Sequence, residues 1–269
     1  MSNHFDYMPK PEGWVPPVEE TSAVGDPAPS TDEAVAETPA AVAPEPESAR
    51  TDDDAPVQPE DNTPLERLVT RCANVISWVF VPLLMPVYGI LLIFTLSFLS
   101  YAPFHTKLVF TLIVFGANFL VPMILVLLLK KMGLIDDIGL NGRKERMIPY
   151  IITIVCLAGT GLFLYMKSAP VWVAMFYVGG ALAGLINLLV NFRWKISAHA
   201  AGIAGLVAML LQVIKEGPSA QDMAWWLVGA IMTAGLLGSA RIWLGRHTLM
   251  QVLAGSAVGF LCVWGLSLF

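Results

Sequence analysis

The sequence predicts an all-α membrane protein, a polytopic bundle of six to seven transmembrane helices behind a disordered N-terminal tail. Three observations carry that expectation. The chain is 56% hydrophobic and only 14% charged. Its charge is split, since residues 1–65 hold 15 of the 21 acidic residues and 12 of the 19 prolines, with only Lys10 and Arg50 as bases. The rest is dominated by apolar runs of about 20 residues, the length of helix that crosses a hydrocarbon core of about 30 Å.

Residues 1–65 form the first unit, an acidic, Pro- and Ala-rich tail that buries too little apolar surface to fold. A net charge of −5 therefore hides a basic body behind an acidic tail, and no nucleic-acid partner is expected from it. No basic region leads into an apolar stretch at the N-terminus, so a cleavable signal peptide is not expected. The apolar segment from about residue 75 takes the targeting role.

Residues 66–269 form the second unit, with spans predicted near 76–100, 107–129, 148–166, 170–192, 197–215, 223–243 and 247–267. Helices are required because lipid cannot satisfy free backbone groups, and unbroken runs such as Ile124–Leu129 lack the alternation of a barrel strand. Pro82 and Pro86 are placed to kink the first span. Lys167-Ser-Ala-Pro170 alone separates the third from the fourth, which keeps six spans plus a re-entrant segment open.

If the spans alternate, the gaps at 130–147, 193–196 and 241–247 share one face. That face gathers Arg67, Arg71, Lys130, Lys131, Arg143, Lys144, Arg146, Arg193, Lys195, Arg241 and Arg246, against Lys107, Lys167 and Lys215 opposite. The excess of bases puts this face and the tail in the cytoplasm, and the expected location is a bacterial inner membrane. Cys72, Cys156 and Cys262 lack CxxC spacing and nearby histidines, so they read as packing residues rather than a disulfide or metal site. Small residues at Gly179–Gly184 and Gly202–Gly205 read as sites of close helix packing.

The chemistry-bearing residues sit on the basic face. Ser197-Ala-His199 opens one apolar run, where Ser197 can cap a helix N-terminus whose free N–H groups favour an anion. Arg241 closes another, and His247 follows after five residues. Taken singly, each has a plainer reading: a basic loop at 143–146, a snorkelling arginine, an interhelical histidine bond. Together they describe a cationic anion hole with two imidazoles, and ionisable groups at a membrane mark function by default. His4 and His105 fall outside this set.

The order and spacing resemble the type 2 phosphatidic acid phosphatase family, the lipid phosphate phosphatases related to vanadium haloperoxidases. Ile196-Ser-Ala-His199 is similar to the family's Pro-Ser-Gly-His, and Arg241-x5-His247 to its Ser-Arg-x5-His-x3-Asp. The likeness covers roughly residues 75–267. It implies a hydrolase that needs no metal or other cofactor and acts on a membrane lipid phosphate or isoprenoid diphosphate. By the same likeness His247 is the nucleophile on phosphorus and His199 the acid that protonates the leaving oxygen. Arg241, Ser197, Lys144 and Arg146 hold the phosphate oxygens. The chain departs from the pattern at Gln251, where the family has the Asp that orients the nucleophile, and at Ile196, Ala198 and Ala240. These departures sustain an alternative, a catalytically impaired relative that binds or moves an anionic lipid.

Overall fold

The computed structural model describes residues 63–133, 147–216 and 220–267; the N-terminal tail through residue 62, Lys144 and Arg146 lie outside the described residues. Seven helical segments are long and apolar enough to cross a membrane. This matches the predicted count, and among the described residues there is no strand. The protein is an integral, multi-pass helical bundle.

The first segment differs most from expectation. Helix α1 (Pro64–Val79) begins about twelve residues before the predicted span, because Thr63 and Glu66 build a capping box. The Thr63 hydroxyl accepts from the Glu66 N–H at 3.2 Å and the Glu66 carboxylate accepts from the Thr63 N–H at 3.1 Å, with Pro64 at the first helical position. Glu66, Arg67, Arg71 and Asn74 interrupt its apolar positions, so a hydropathy window passes over it. It ends where Pro82 forces Val81 into extended backbone (φ −62°, ψ 140°), and a 3₁₀ turn at Pro82–Leu84 leads into α2 (Met85–Leu96). Two tyrosines satisfy backbone at this kink. The Tyr88 hydroxyl donates to the Val79 carbonyl at 2.7 Å, and the buried Tyr177 hydroxyl to that of Pro86 at 3.0 Å. Prolines break membrane helices at tolerable cost when a neighbour bonds a carbonyl left at the helix end, as Tyr88 does for Val79.

A second proline shapes the next segment, in which α3 (Phe104–Phe115) and α4 (Val121–Lys131) are joined by a π turn over Gly116–Leu120. Pro122 cannot donate to the carbonyl four residues back, and the ladder widens so that the Val121 N–H reaches Gly116. Asn118, in that turn, donates to the Thr160 hydroxyl at 2.8 Å and ties the segment to α5 (Met147–Met166).

The densest packing joins α7 (Ala198–Glu216) to α9 (Leu249–Leu266) and α5 to α6 (Val171–Asn191), α6 also packs on α9, and α8 (Ala220–Trp243) returns the chain between α7 and α9. A Cβ on Gly255 would collide with the Ser197 carbonyl, and one on Gly259 with the Ala201 carbonyl. Gly205 meets Val263 one turn further, at 3.3 Å from an added Cβ, so α7 and α9 run parallel in fixed register. Gly179 brings α6 equally close, with an added Cβ 2.8 Å from the Val263 Cα. The small residues singled out at 179 and 205 therefore serve close helix approach within the bundle. This register puts the start of α7 beside the start of α9.

Candidate functional site

The five-residue gap between Arg241 and His247 is the length of a helix stop followed by a helix start. Gly245 takes the left-handed conformation (φ 62°) that a Schellman cap needs and that glycine adopts without penalty. The Arg246 N–H then bonds the Arg241 carbonyl at 3.1 Å and the Gly245 N–H that of Ile242 at 2.9 Å. Next along the chain, the His247 N–H also reaches the Arg241 carbonyl, at 3.3 Å. Thr248 is already the N-cap of α9. Arg241 thus stands in the last turn of one helix and His247 immediately before the next, joined through backbone.

Gln251 performs two tasks with one oxygen. Thr248 and Gln251 form a capping box: the Thr248 hydroxyl accepts from the Gln251 N–H at 3.4 Å, and the Gln251 Oε1 accepts from the Thr248 N–H at 3.2 Å. The same Oε1 lies 3.1 Å from His247 Nδ1. A backbone N–H can only donate, so the amide atom facing Thr248 is the oxygen, and an amide oxygen can only accept. Nδ1 therefore carries a proton, and in the neutral imidazole the lone pair is on Nε2. The imidazole is 94% buried, at 6% exposure.

Ser197 has no exposed surface and is held by both neighbours. Its hydroxyl caps α7 by accepting from the Ala200 N–H at 3.4 Å, as the sequence suggests, and its N–H donates to the Gln251 carbonyl at 3.3 Å. An accepting hydroxyl keeps its proton to donate. His199, in the first turn of α7, is half-buried, with Nε2 3.3 Å from the Ser77 carbonyl of α1. A carbonyl only accepts, so in this contact Nε2 bears the proton.

The structure thus brings Ser197, His199, Arg241, His247 and Gln251 to one end of α7, α8 and α9. Lys144 and Arg146 fall in residues 134–146, outside those described. Two participants escape the sequence pattern. Ser77 supplies the carbonyl under His199, and its own buried hydroxyl has no hydrogen-bond partner among the described residues. Thr248 fixes the amide that fixes His247. The Thr63-x-x-Glu66 capping signature was the available signal that a helix carrying Ser77 begins well before the hydropathy peak.

The fold defines a polytopic helical membrane protein in which His199, Arg241 and His247 lie at one end of the last three helices. Residues 191–269 match the PAP2 superfamily, consistent with a member of the type 2 phosphatidic acid phosphatase superfamily. No curated protein and no solved structure matches the chain. The matched stretch carries α7 to α9 and every described candidate residue; α1 and Ser77 lie before it.

Proposed function

We propose that the protein hydrolyses a phosphomonoester or diphosphate borne by a lipid or isoprenoid, through a phosphohistidine on His247. The observation that carries this reading is the contact of His247 Nδ1 with the Gln251 Oε1, which in the neutral imidazole leaves the lone pair on Nε2. Nε2 attacks phosphorus, the bond from phosphorus to the bridging oxygen breaks, and His199 as imidazolium gives that oxygen its proton. In the second step neutral His199 takes a proton from water, the hydroxide attacks phosphorus, and the P–N bond breaks to return His247 and release phosphate. Arg241 and Ser197 hold the equatorial oxygens, where neutralising charge supplies most of the catalysis, and Lys144 and Arg146 add cationic contacts. Arginine's planar fork suits this better than an ammonium. The motif face and the tail lie in the cytoplasm, on the excess of bases there.

Gln251 favours a second reading, a relative that binds or moves an anionic lipid without hydrolysis. A neutral amide orients the imidazole but does not balance the positive charge that develops on it, and neutralising the orienting carboxylate of a serine protease costs about 10⁴ in rate. One experiment separates the two. Phosphate release from phosphatidic acid and from a polyprenyl diphosphate is measured with purified protein in the presence of a chelator. The phosphatase reading expects turnover that His247→Ala lowers by on the order of 10³-fold or more. Unchanged turnover in His247→Ala sinks it. No native turnover, with turnover appearing in Gln251→Asp, establishes the binding relative instead.

A further inference from the structure

Below the site, α1 and α2, α7 and α8 enclose an apolar groove of about 480 Å³. That volume is within the range of small-molecule sites, roughly 300–1,000 Å³. Phe80, Ile203, Leu206, Leu210, Gly229 and Thr233 represent its three walls. Two hydroxyls line it, and both are used internally. Thr233 donates to the Gly229 carbonyl at 2.7 Å, and Tyr88 to that of Val79 at 2.7 Å. The groove therefore offers a ligand hydrocarbon contact and little else.

All three walls begin at the site. On α7, His199, Ile203, Leu206 and Leu210 follow at helical spacing along one stripe, which descends about 16 Å at 1.5 Å per residue. On α8, Arg241 stands about two turns above Thr233 and three above Gly229, at the site end of the helix whose lower turns line the groove. At the end of α1, the Ser77 carbonyl meets His199, and Phe80, the residue that caps the helix, lines the groove. A molecule with its phosphate at this end of the bundle has its apolar part carried down the α7 stripe into the groove.

We infer that this groove is the binding site for a hydrocarbon chain of the lipid whose phosphate the two-histidine centre takes, and that Gly229 keeps it open to long chains. The inference rests on the proposed reading of that centre for the identity of the headgroup. Gly229 has open space where a Cβ would project, and so does Gly235 on the same helix, but only Gly229 lines the groove. A Cβ at either position meets nothing within 4 Å, and leucine replaces a poor helix former, so both variants are expected to fold. Only leucine at 229 occupies the volume of the chain.

The test compares Gly229→Leu with Gly235→Leu in the full-length protein, using long-chain phosphatidic acid in mixed micelles and its dibutanoyl analogue. Gly229→Leu is expected to lower kcat/KM for the long-chain substrate by about 10-fold or more, the scale of discrimination between neighbouring apolar pocket fits. Turnover of the dibutanoyl analogue stays unchanged, and Gly235→Leu alters neither. Equal loss on both substrates, or no loss on the long-chain one, overturns the groove. A photo-reactive phosphatidic acid with a diazirine at the chain end supplies a readout independent of hydrolysis. Cross-linking to residues 223–233 that unlabelled phosphatidic acid competes and Gly229→Leu abolishes supports the groove even in a protein that hydrolyses nothing, where the phosphatase reading alone falls. Cross-linking spread around the bundle and unchanged by Gly229→Leu removes the groove and leaves any measured hydrolysis standing.

Discussion

The two histidines of the site are held by different parts of the molecule. His247 is oriented within its own helix start: Gln251 is four residues away, its amide is set by the Thr248 N–H, and the backbone returns to Arg241. His199 meets the carbonyl of Ser77, 122 residues earlier in the chain, on a helix that enters the bundle above a proline kink. The first arrangement forms once α7, α8 and α9 pack. The second also needs α1 to dock on α8. The comparison separates a centre that the C-terminal helices build alone from an N-terminal arm that completes it.

The C-terminal region is the harder to perturb gently, because its helices meet backbone to backbone. Gly259→Val is expected to have the largest effect, since its Cβ has no room against the Ala201 carbonyl and neither backbone can yield without losing register. Overpacking of this kind costs about 1–3 kcal/mol or more, enough to lower the melting temperature of the purified protein and abolish activity together. Gly159→Val is the control, with nothing within 4 Å of its Cβ, and should leave both unchanged. If the two variants melt alike, the close α7–α9 approach is not what positions the site.

Gln251→Ala sharpens the contrast at intermediate magnitude. It removes half of a capping box, worth about 1 kcal/mol, and also the amide oxygen that accepts from His247 Nδ1. Stability should therefore fall slightly while kcat falls by on the order of 10²-fold or more, within the range set by loss of an orienting partner. A loss of kcat no greater than the small loss of folded protein would make Gln251 a helix cap and nothing else.

How much of this was legible follows from the range of each interaction. Spans three to seven stand within about three residues of their predicted ends, because uniform apolar runs such as those of α5 and α6 leave hydropathy nothing to compete with. Arg241, His247 and Gln251 were legible as a spacing, since a Schellman stop, a histidine and a capping box are all local. Helix α1 was not, because its capping box and its apolar positions lie among charges that depress average hydropathy. Ser77 was less legible still. It acts through its backbone carbonyl, which no residue type advertises, and against a partner that only the tertiary fold brings near. The groove is of the same kind, with walls drawn from three separated stretches of chain.

The smallest effect tests whether α1 is docked or merely adjacent. The indole N–H of Trp243, the last residue of α8, donates to the Thr70 hydroxyl of α1 at 3.1 Å, and this bond clamps the arm at the end of the bundle where the site lies. Both side chains are partly open to solvent, so Trp243→Phe and Thr70→Val each cost about 1 kcal/mol or less. Combined in a double-mutant cycle, they should show a coupling of about 0.5–1 kcal/mol in stability. The activity readout is the sharper one. If α1 completes the site through Ser77 and His199, loosening the clamp should lower kcat several-fold with KM for the dibutanoyl substrate unchanged, and the double variant should be no worse than either single one. Additive losses in stability with kcat unchanged would show that α1 leans on α8 without serving His199, and would return the whole of the chemistry to the C-terminal helices.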